Sequence, residues 1–469
     1  MIANLERRSL LALFVGLLAG CSTRVEPWWA LVPAILAFLL SPVSRRFLIG
    51  AYLVGVAIGP SPDVEFEPVE RFWEGQGRLV SVPMWTADSQ TVRLATDQGR
   101  FMLRVAADQD LSLGDVVAFR AFVQPPSESA ADYYRRIGVR GVVLPLSKRV
   151  EVLGQGPWPF RVGLAWRRAF VETVDQAMSP EAADWMKALC FNVRGSLDDS
   201  ANDQLSRTGT AHIVSASGLH VLILAFGIHG LLGLLPLPRA AQVALLLVVL
   251  AIYAGAAGLR PPVLRAVAMG ALFFSAYLFK REPDGLSAVA VAGTAELLWS
   301  PGSVLDMGFQ LSYLTAASLS LFLRFPIERS TGMWDGVRDY FVGLATVSLV
   351  AFLASAPLVA YHFGVVSLTS IGTNMLVVPV AFVVVLVGML ALPATLAFPE
   401  VARFVYGDLV QPLVGWMVAV IEGVAQWPLA AVYVPPVPAW LVVAIYVGFA
   451  LAWSPTRRTP VLRPSGILP

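Results

Sequence analysis

Charge is scarce in this chain. Of its 469 residues only 14% are Asp, Glu, Lys or Arg, against about 25% in a soluble domain. That shortfall excludes an ordinary water-soluble globule and a disordered chain. Cysteine is scarcer still. Cys21 and Cys190 are the only two, which argues against a disulfide framework and against a thiolate-based metal cluster. Histidine occurs four times, and lysine only as Lys148, Lys187 and Lys280. No Gly-Lys dipeptide occurs, so the P-loop that cradles nucleotide phosphates is absent. A net charge of +2 points to no class of partner.

The chain has apolar length instead. Hydrophobic residues make up 57% of it, the mean hydropathy is +0.68, and apolar runs recur over residues 10–453. Three short spans, 9–20, 28–40 and 47–59, precede a mixed, mostly soluble stretch at 60–211. Nine more follow it, at 211–235, 240–255, 262–279, 286–299, 307–324, 340–361, 368–398, 409–427 and 438–453. The fold class expected is a polytopic α-helical membrane protein of about 10–12 spans, with an inserted extracytoplasmic all-β OB-like domain and short amphipathic helices. The corresponding units are membrane spans (1–59), a β domain (60–155), an amphipathic connector (156–210), a membrane core (211–455) and a short basic tail (456–469).

Loop arginines and lysines set the orientation. With Arg7 and Arg8 in the cytoplasm, Arg45/Arg46, Arg239, Lys280/Arg281, Arg324/Arg329/Arg338, Arg403 and Arg457/Arg458 all fall on that side. The soluble stretch then lies outside, and the protein is multi-pass in the cytoplasmic (inner) membrane. Residues 405–433, with Asp408, Gln411, Glu422 and Gln426, read either as a span or as an interfacial helix. The second choice moves the tail to the other side. The start also has a second reading. Arg7-Arg8, a short apolar run and Leu18-Ala19-Gly20-Cys21 have the form of a bacterial lipoprotein signal with Cys21 as lipid acceptor.

Alternation of apolar and polar residues predicts strands at 77–83, 90–96, 100–106, 115–123 and 139–144. Five short strands suit a small OB-type barrel, which grips single-stranded nucleic acid with arginines and stacked aromatics. Arg78, Trp85, Arg93, Arg100, Phe101, Arg104 and Arg120 are the candidates. They serve equally well as the solvated face of a barrel. Asp63, Glu65, Glu67, Glu70, Asp88, Asp97, Asp108, Asp110 and Asp115 lie among them, so the domain is no simple polyanion trap. Beyond it, 163–189 reads as an amphipathic helix and 198–208 as a short polar one. Asp175, Glu181, Asp184, Asp198 and Asp199 are expected on their solvated faces.

The span at 211–235 is unusually polar. His212, Ser215, Ser217, His220 and His229 lie within it, and polar groups at membrane depth are costly unless they face water or a partner. On one unbroken helix, at about 100° per residue, His212, Ser215 and His220 share a side, with Ser217 near His220. Gly218 is a possible break. Arg265, Asp306, Gln310, Ser370 and Asn374 add polar points in three further segments. Arg265 with Asp306 is a plausible charge pair. Together these residues suggest a wet path, a proton relay or plain interhelical hydrogen bonding.

Four blocks, "GTAHIVSASGLHV", "RPPVLRAVAM", "DMGFQLSYL" and the Phe363–Val380 run "FG…S…N…P", resemble the membrane core of the ComEC competence family. The barrel and its tail "RRIGVRGVVLP" resemble that family's outer domain. The resemblance implies an inner-membrane channel that passes single-stranded DNA into the cytoplasm during natural transformation. Its lining or gating residues would be His212, Ser215, Ser217, His220, Arg265, Asp306, Gln310 and Asn374. Longer members continue into a metallo-β-lactamase-like domain. No histidine follows His362, so such a zinc cluster is not expected here, nor a cofactor, an ATPase or a nuclease of this chain's own. Expected partners are the bilayer, single-stranded DNA, a separate DNA receptor, a nuclease and a cytoplasmic motor or strand-capturing protein, with a homo-oligomer possible. Two alternatives remain. One is a rhomboid-like intramembrane serine protease built on Ser215-Ala216-Ser217-Gly218 with His362 as base. The other is a small-solute transporter.

Overall fold

The computed structural model describes residues 9–23, 42–59, 70–85, 89–128, 138–191, 197–214, 218–279, 281–322, 333–435 and 437–452, with 66, 131, 134, 135 and 193. The expected span at 28–40 lies outside the described residues, as do the tail and Ser215 and Ser217.

The chain opens with a tight helical hairpin, α1 (Ser9–Thr23) and α2 (Pro42–Ile58). Gly16 and Gly20 stand four apart on α1 and face α2. A Cβ on Gly16 would sit 2.3 Å from the Leu48 carbonyl oxygen, and one on Gly20 2.2 Å from that of Tyr52. On α2, Gly55 would clash in the same way with Leu17. Small residues at this spacing let helix backbones touch, the main source of association where solvent gives no hydrophobic drive. Cys21 is fully buried in this contact. The hairpin shares a core with the later helices through Phe14, Leu17, Phe309 and Tyr313.

The β domain follows: β1 (Arg71–Leu79), β2 (Met84–Trp85), β3 (Ser89–Thr96), β4 (Gly99–Ala106), β5 (Val116–Gln124), β6 (Val139–Pro145) and β7 (Glu151–Gly154). The order β1-β3-β4-β6-β5 closes on itself because β5 also pairs with β1. The result is a small five-stranded barrel in which only β4 and β6 run parallel. Its interior comes from alternate residues: Leu79 of β1, Val92 and Leu94 of β3, Phe101, Leu103 and Val105 of β4, and Val117, Phe119, Ala121 and Val123 of β5. Asp115 is fully buried. One of its oxygens accepts from Ser112 N at 2.7 Å and the other from Gly156 N at 2.6 Å, which ties the barrel to the chain leaving it. The first strand begins six residues before its expected start.

The connector is not a solvated appendage. The helix expected at 163–189 is two helices, α3 (Trp158–Ala177) and α4 (Pro180–Phe191). Phe170, Val174, Met186, Leu189 and Phe191 are buried in the largest core of the molecule, shared with the apolar helices that follow. Burial draws the Lys187 pKa down. Hydrogen bonds from Lys187 to the carboxylates of Asp175 and Asp184, each at 2.8 Å, more than offset it, so the ammonium titrates above its ordinary value. Asp175 and Asp184 thus have a structural duty beyond solvation. Asp198 caps α5 (Asp199–Thr208) by accepting from Ala201 N at 2.8 Å.

The helices of the membrane core are α6 (Ala211–Val214), α7 (Gly218–Leu232), α8 (Arg239–Ala256), α9 (Pro261–Ser275), α10 (Gly285–Trp299), α11 (Met307–Phe322), α12 (Met333–Phe363), α13 (Ser370–Leu390), α14 (Leu392–Ala397), α15 (Pro399–Phe404), α16 (Gln411–Ala425) and α17 (Ala439–Ala452). A two-stranded ribbon, β8 (Val365–Ser367) with β9 (Ala431–Tyr433), staples the α12–α13 junction to the α16–α17 junction.

Five stretches among the described residues are long and apolar enough to cross a membrane: Arg239–Ala256, Pro261–Phe279, Gly336–Phe363, Ser370–Leu390 and Pro399–Ala425. Four shorter apolar helices accompany them, at Ser9–Thr23, Arg46–Ile58, His220–Leu232 and Gly285–Trp299. This is a multi-pass helical membrane protein carrying a small barrel; among the described residues five of the expected spans reach full crossing length and others are shorter apolar helices. Several predicted spans fold as helices of 14–16 residues. The doubtful 405–433 segment continues α15 through one wide turn (Val405–Val410) into α16.

Candidate functional site

Polar side chains on four successive helices meet in the core. α9 starts at Pro261, which suits a first helical turn, and this places Arg265 one turn inside. Its side chain is 2% exposed. Nη1 lies 3.3 Å from Glu296 Oε1 on α10 and 4.0 Å from Asp306 Oδ1 at the start of α11. Nε and Nη2 are buried with no hydrogen-bond partner among the described residues. The other Glu296 oxygen accepts from Tyr313 Oη at 2.9 Å. Asp306 caps α11 through Phe309 N at 2.8 Å, and its side chain is half exposed. Gln310 donates to the Val304 carbonyl at 3.0 Å and meets His362 Nε2, on α12, at 2.9 Å. Asp306, Gln310 and Tyr313 stand at helical i, i+4, i+7 positions, so one face of α11 carries the acid, the amide and the phenol.

Arg265 and Asp306 therefore do approach each other, but the nearer carboxylate belongs to Glu296, which sequence reasoning passed over together with Tyr313. The signal was available. Glu296 is the one charged residue in the apolar run Gly285–Trp299, and a carboxylate at such a position calls for a partner.

A second polar group gathers at the α5–α7 elbow. Gly209 has φ +71°, the left-handed residue that ends α5, and its N–H bonds back to the Leu205 carbonyl. A Cβ there would also lie 2.5 Å from that of Ser370. Thr208 and Thr210 share a hydroxyl hydrogen bond of 2.7 Å, and His212 Nδ1 contacts the Gly209 carbonyl at 3.0 Å. His220 is 1% exposed and hydrogen-bonds the backbone of Leu189. Asn374, on the first turns of α13, has its Oδ1 buried and without a partner among the described residues. The single helix expected at 211–235 is two helices, α6 and α7, with residues 215–217 between them outside the description. The face shared by His212, Ser215 and His220 was derived for an unbroken helix and does not carry over. His229 stacks on Tyr277 and packs against Phe274.

On the barrel, strand register sorts the candidates. Arg78 pairs with Ala95, Ala95 with Arg100, Met102 with Arg93 and Arg104 with Thr91. All four arginines occupy the outward positions of β1, β3 and β4. Arg78, Arg100 and Arg104 are exposed and form no ion pair among the described residues. Arg120 is exposed but bound to Glu74 at 3.2 Å. Phe101 requires correction: it is fully buried, its ring 5.1 Å from that of Trp73, and offers no surface to a base. Alternation places it with Leu103 and Val105, opposite Arg100 and Arg104. The Trp85 backbone pairs with Gln90; its side chain lies outside the description.

A cleft lies elsewhere. α4, α5 and α16 enclose about 410 Å³ lined by Glu181, Asp184, Asp198 and Glu422. Four carboxylates repel a polyanion, so this cleft is no nucleic-acid site. Among the described residues no three His, Cys, Asp or Glu side chains converge as metal ligands would.

The family model described as competence protein matches residues 189–459, more than half of the chain and all of the polar core just described. The chain belongs to the competence-protein family. It is 28% identical over 263 residues to ComE operon protein 3 of Bacillus subtilis (strain 168), a match covering 56% of this chain and 33% of that protein. The match thus spans about a third of the relative's length. No solved structure matches. In this competence protein the Arg265–Glu296–Tyr313 and Gln310–His362 contacts, and the Gly209 elbow, all fall inside the family region.

Proposed function

We propose that this chain is the inner-membrane channel that passes single-stranded DNA into the cytoplasm during natural transformation, with neither ATPase nor nuclease activity of its own. The observation that carries the reading is the string of polar side chains from Arg265 on α9 through Glu296, Tyr313 and Gln310 to His362 on α12. A polyanion cannot enter hydrocarbon and needs such a lining. Arginine suits the task, because its planar guanidinium grips phosphate with two donors.

The barrel lies on the extracytoplasmic side and is of the OB type, in which the face of the second and third strands holds oligonucleotides. Those strands are β3 and β4, and they carry Arg93, Arg100 and Arg104. The strand is oriented there and then enters the core. Force comes from a cytoplasmic motor or strand-capturing protein. A receptor and a nuclease act from separate chains, and a homo-oligomer widens the passage. Against the rhomboid-like alternative stands the hydrogen bond of His362 Nε2 with Gln310 at 2.9 Å.

The test is transformation with single-stranded donor DNA in cells carrying His220→Ala or Asn374→Ala, with membrane abundance measured in parallel. Loss of uptake at normal abundance is expected; normal uptake removes those residues from the path. Proteoliposomes holding the purified chain separate the solute-transporter alternative, because oligonucleotide flux rather than mononucleotide flux is expected.

A further inference from the structure

Arg265 stands out among the buried side chains of the α9–α12 region. A buried guanidinium ordinarily has its donors satisfied, and an unmet buried donor in a native structure calls for an explanation. Here one nitrogen meets Glu296 at 3.3 Å and reaches toward Asp306 at 4.0 Å, while Nε and Nη2 meet nothing among the described residues. One cation thus stands between two carboxylates of different character. The Glu296 side chain is 20% exposed and is held by the Tyr313 hydroxyl; the Asp306 side chain is 51% exposed and opens outward. Between them lies Gly308. A Cβ added there would sit 3.1 Å from Arg265 Nη2 and 2.9 Å from Asp306 Oδ1, so the missing side chain leaves the guanidinium a way toward Asp306.

We propose that Arg265 is a two-position gate, closed on Glu296 and open on Asp306, with Glu296 and Tyr313 as the positioning residues of the closed state. This deepens the channel reading and rests on it. In the closed position the cation is tied inside the helix bundle and blocks the polar string. In the open position it sits at the half-exposed end, where its free donors meet the phosphates of the strand. The exchange is between two ion pairs, so neither position leaves the charge alone.

The two carboxylates then have opposite effects, which a purely structural pair would not produce. The experiment measures chloride leak from proteoliposomes of the full chain, alongside oligonucleotide flux, for Glu296→Gln, Asp306→Asn, Arg265→Gln and Gly308→Ala. Asparagine keeps the helix cap that Asp306 provides. Glu296→Gln and Arg265→Gln are expected to raise the leak about tenfold, the size of a lost charged hydrogen bond. Asp306→Asn and Gly308→Ala are expected to leave the leak at or below the parent level and to slow oligonucleotide flux. Should Glu296→Gln fail to accumulate, Tyr313→Phe removes only the hydroxyl that holds Glu296 and is expected to raise the leak in the same direction. Equal shifts for Glu296→Gln and Asp306→Asn, or a silent Arg265→Gln, overturn the gate. Absence of oligonucleotide flux in the parent, with the leak pattern intact, instead overturns the channel reading.

Discussion

The two cationic regions of this competence protein obey different economics of charge. On the barrel, Arg78, Arg93, Arg100 and Arg104 share one outward face over three strands. Charges there keep much of their hydration, act additively and are screened by salt. In the helical core the Arg265 guanidinium is shut away with Glu296 and Asp306. Desolvation makes it costly, and every partner it has matters. Surface cations can be lost one at a time, whereas Arg265 ties α9 to α10 and α11.

Substitutions that separate packing from charge sharpen this contrast. The largest effect is expected from Phe101→Ala, which empties the barrel core of a ring packed on Trp73; such truncations cost about 3–5 kcal/mol. Thermal unfolding of the full chain in detergent should show an early transition, and oligonucleotide binding should fall because the barrel fails. Next is Arg265→Leu, which leaves Glu296 without its counter-charge and is expected to cost about 3 kcal/mol, read as a lower midpoint with the barrel transition unmoved. If this variant melts like the parent, the contrast between the regions is wrong.

A third test is the joint change of Arg78, Arg100 and Arg104 to Gln. Stability should stay within about 0.5 kcal/mol. The slope of log affinity for single-stranded DNA against log salt should shrink by about 0.7 for each phosphate contact removed. An unchanged slope places the strand elsewhere. The smallest effect belongs to Arg120→Ala. Its ion pair with Glu74 is exposed and contributes under about 1 kcal/mol, so both melting and DNA binding should barely move.

Legibility in the sequence followed the range of the interactions involved. The strands β3, β4 and β5 were readable because alternation is local. β1 began earlier than expected, because Gly75 and Gly77 interrupt the alternation of its inward residues while Phe72 faces out. The short helix at 198–208 was readable, whereas Asp198, expected on a solvated face, caps it. Glu296 was not recognised, although its isolation in an apolar run was visible, because its meaning depends on helices α9 and α11. The break between α6 and α7 was suspected at Gly218, yet the shared face was computed for an unbroken helix.

Composition by itself determined that this chain lives in a bilayer, since so few charges cannot cover a soluble surface and so much apolar length must be hidden. Local patterning by itself determined a small β domain ahead of an apolar helical core. Tertiary structure alone decided that the connector helices belong to the main core, that Phe101 packs inward while Arg120 is tied to Glu74, and that Arg265 faces two carboxylates rather than one. The reason is physical. Periodicity fixes which face of an element is apolar, but which partner meets that face depends on how distant segments pack, and a buried charge takes its character from that partner.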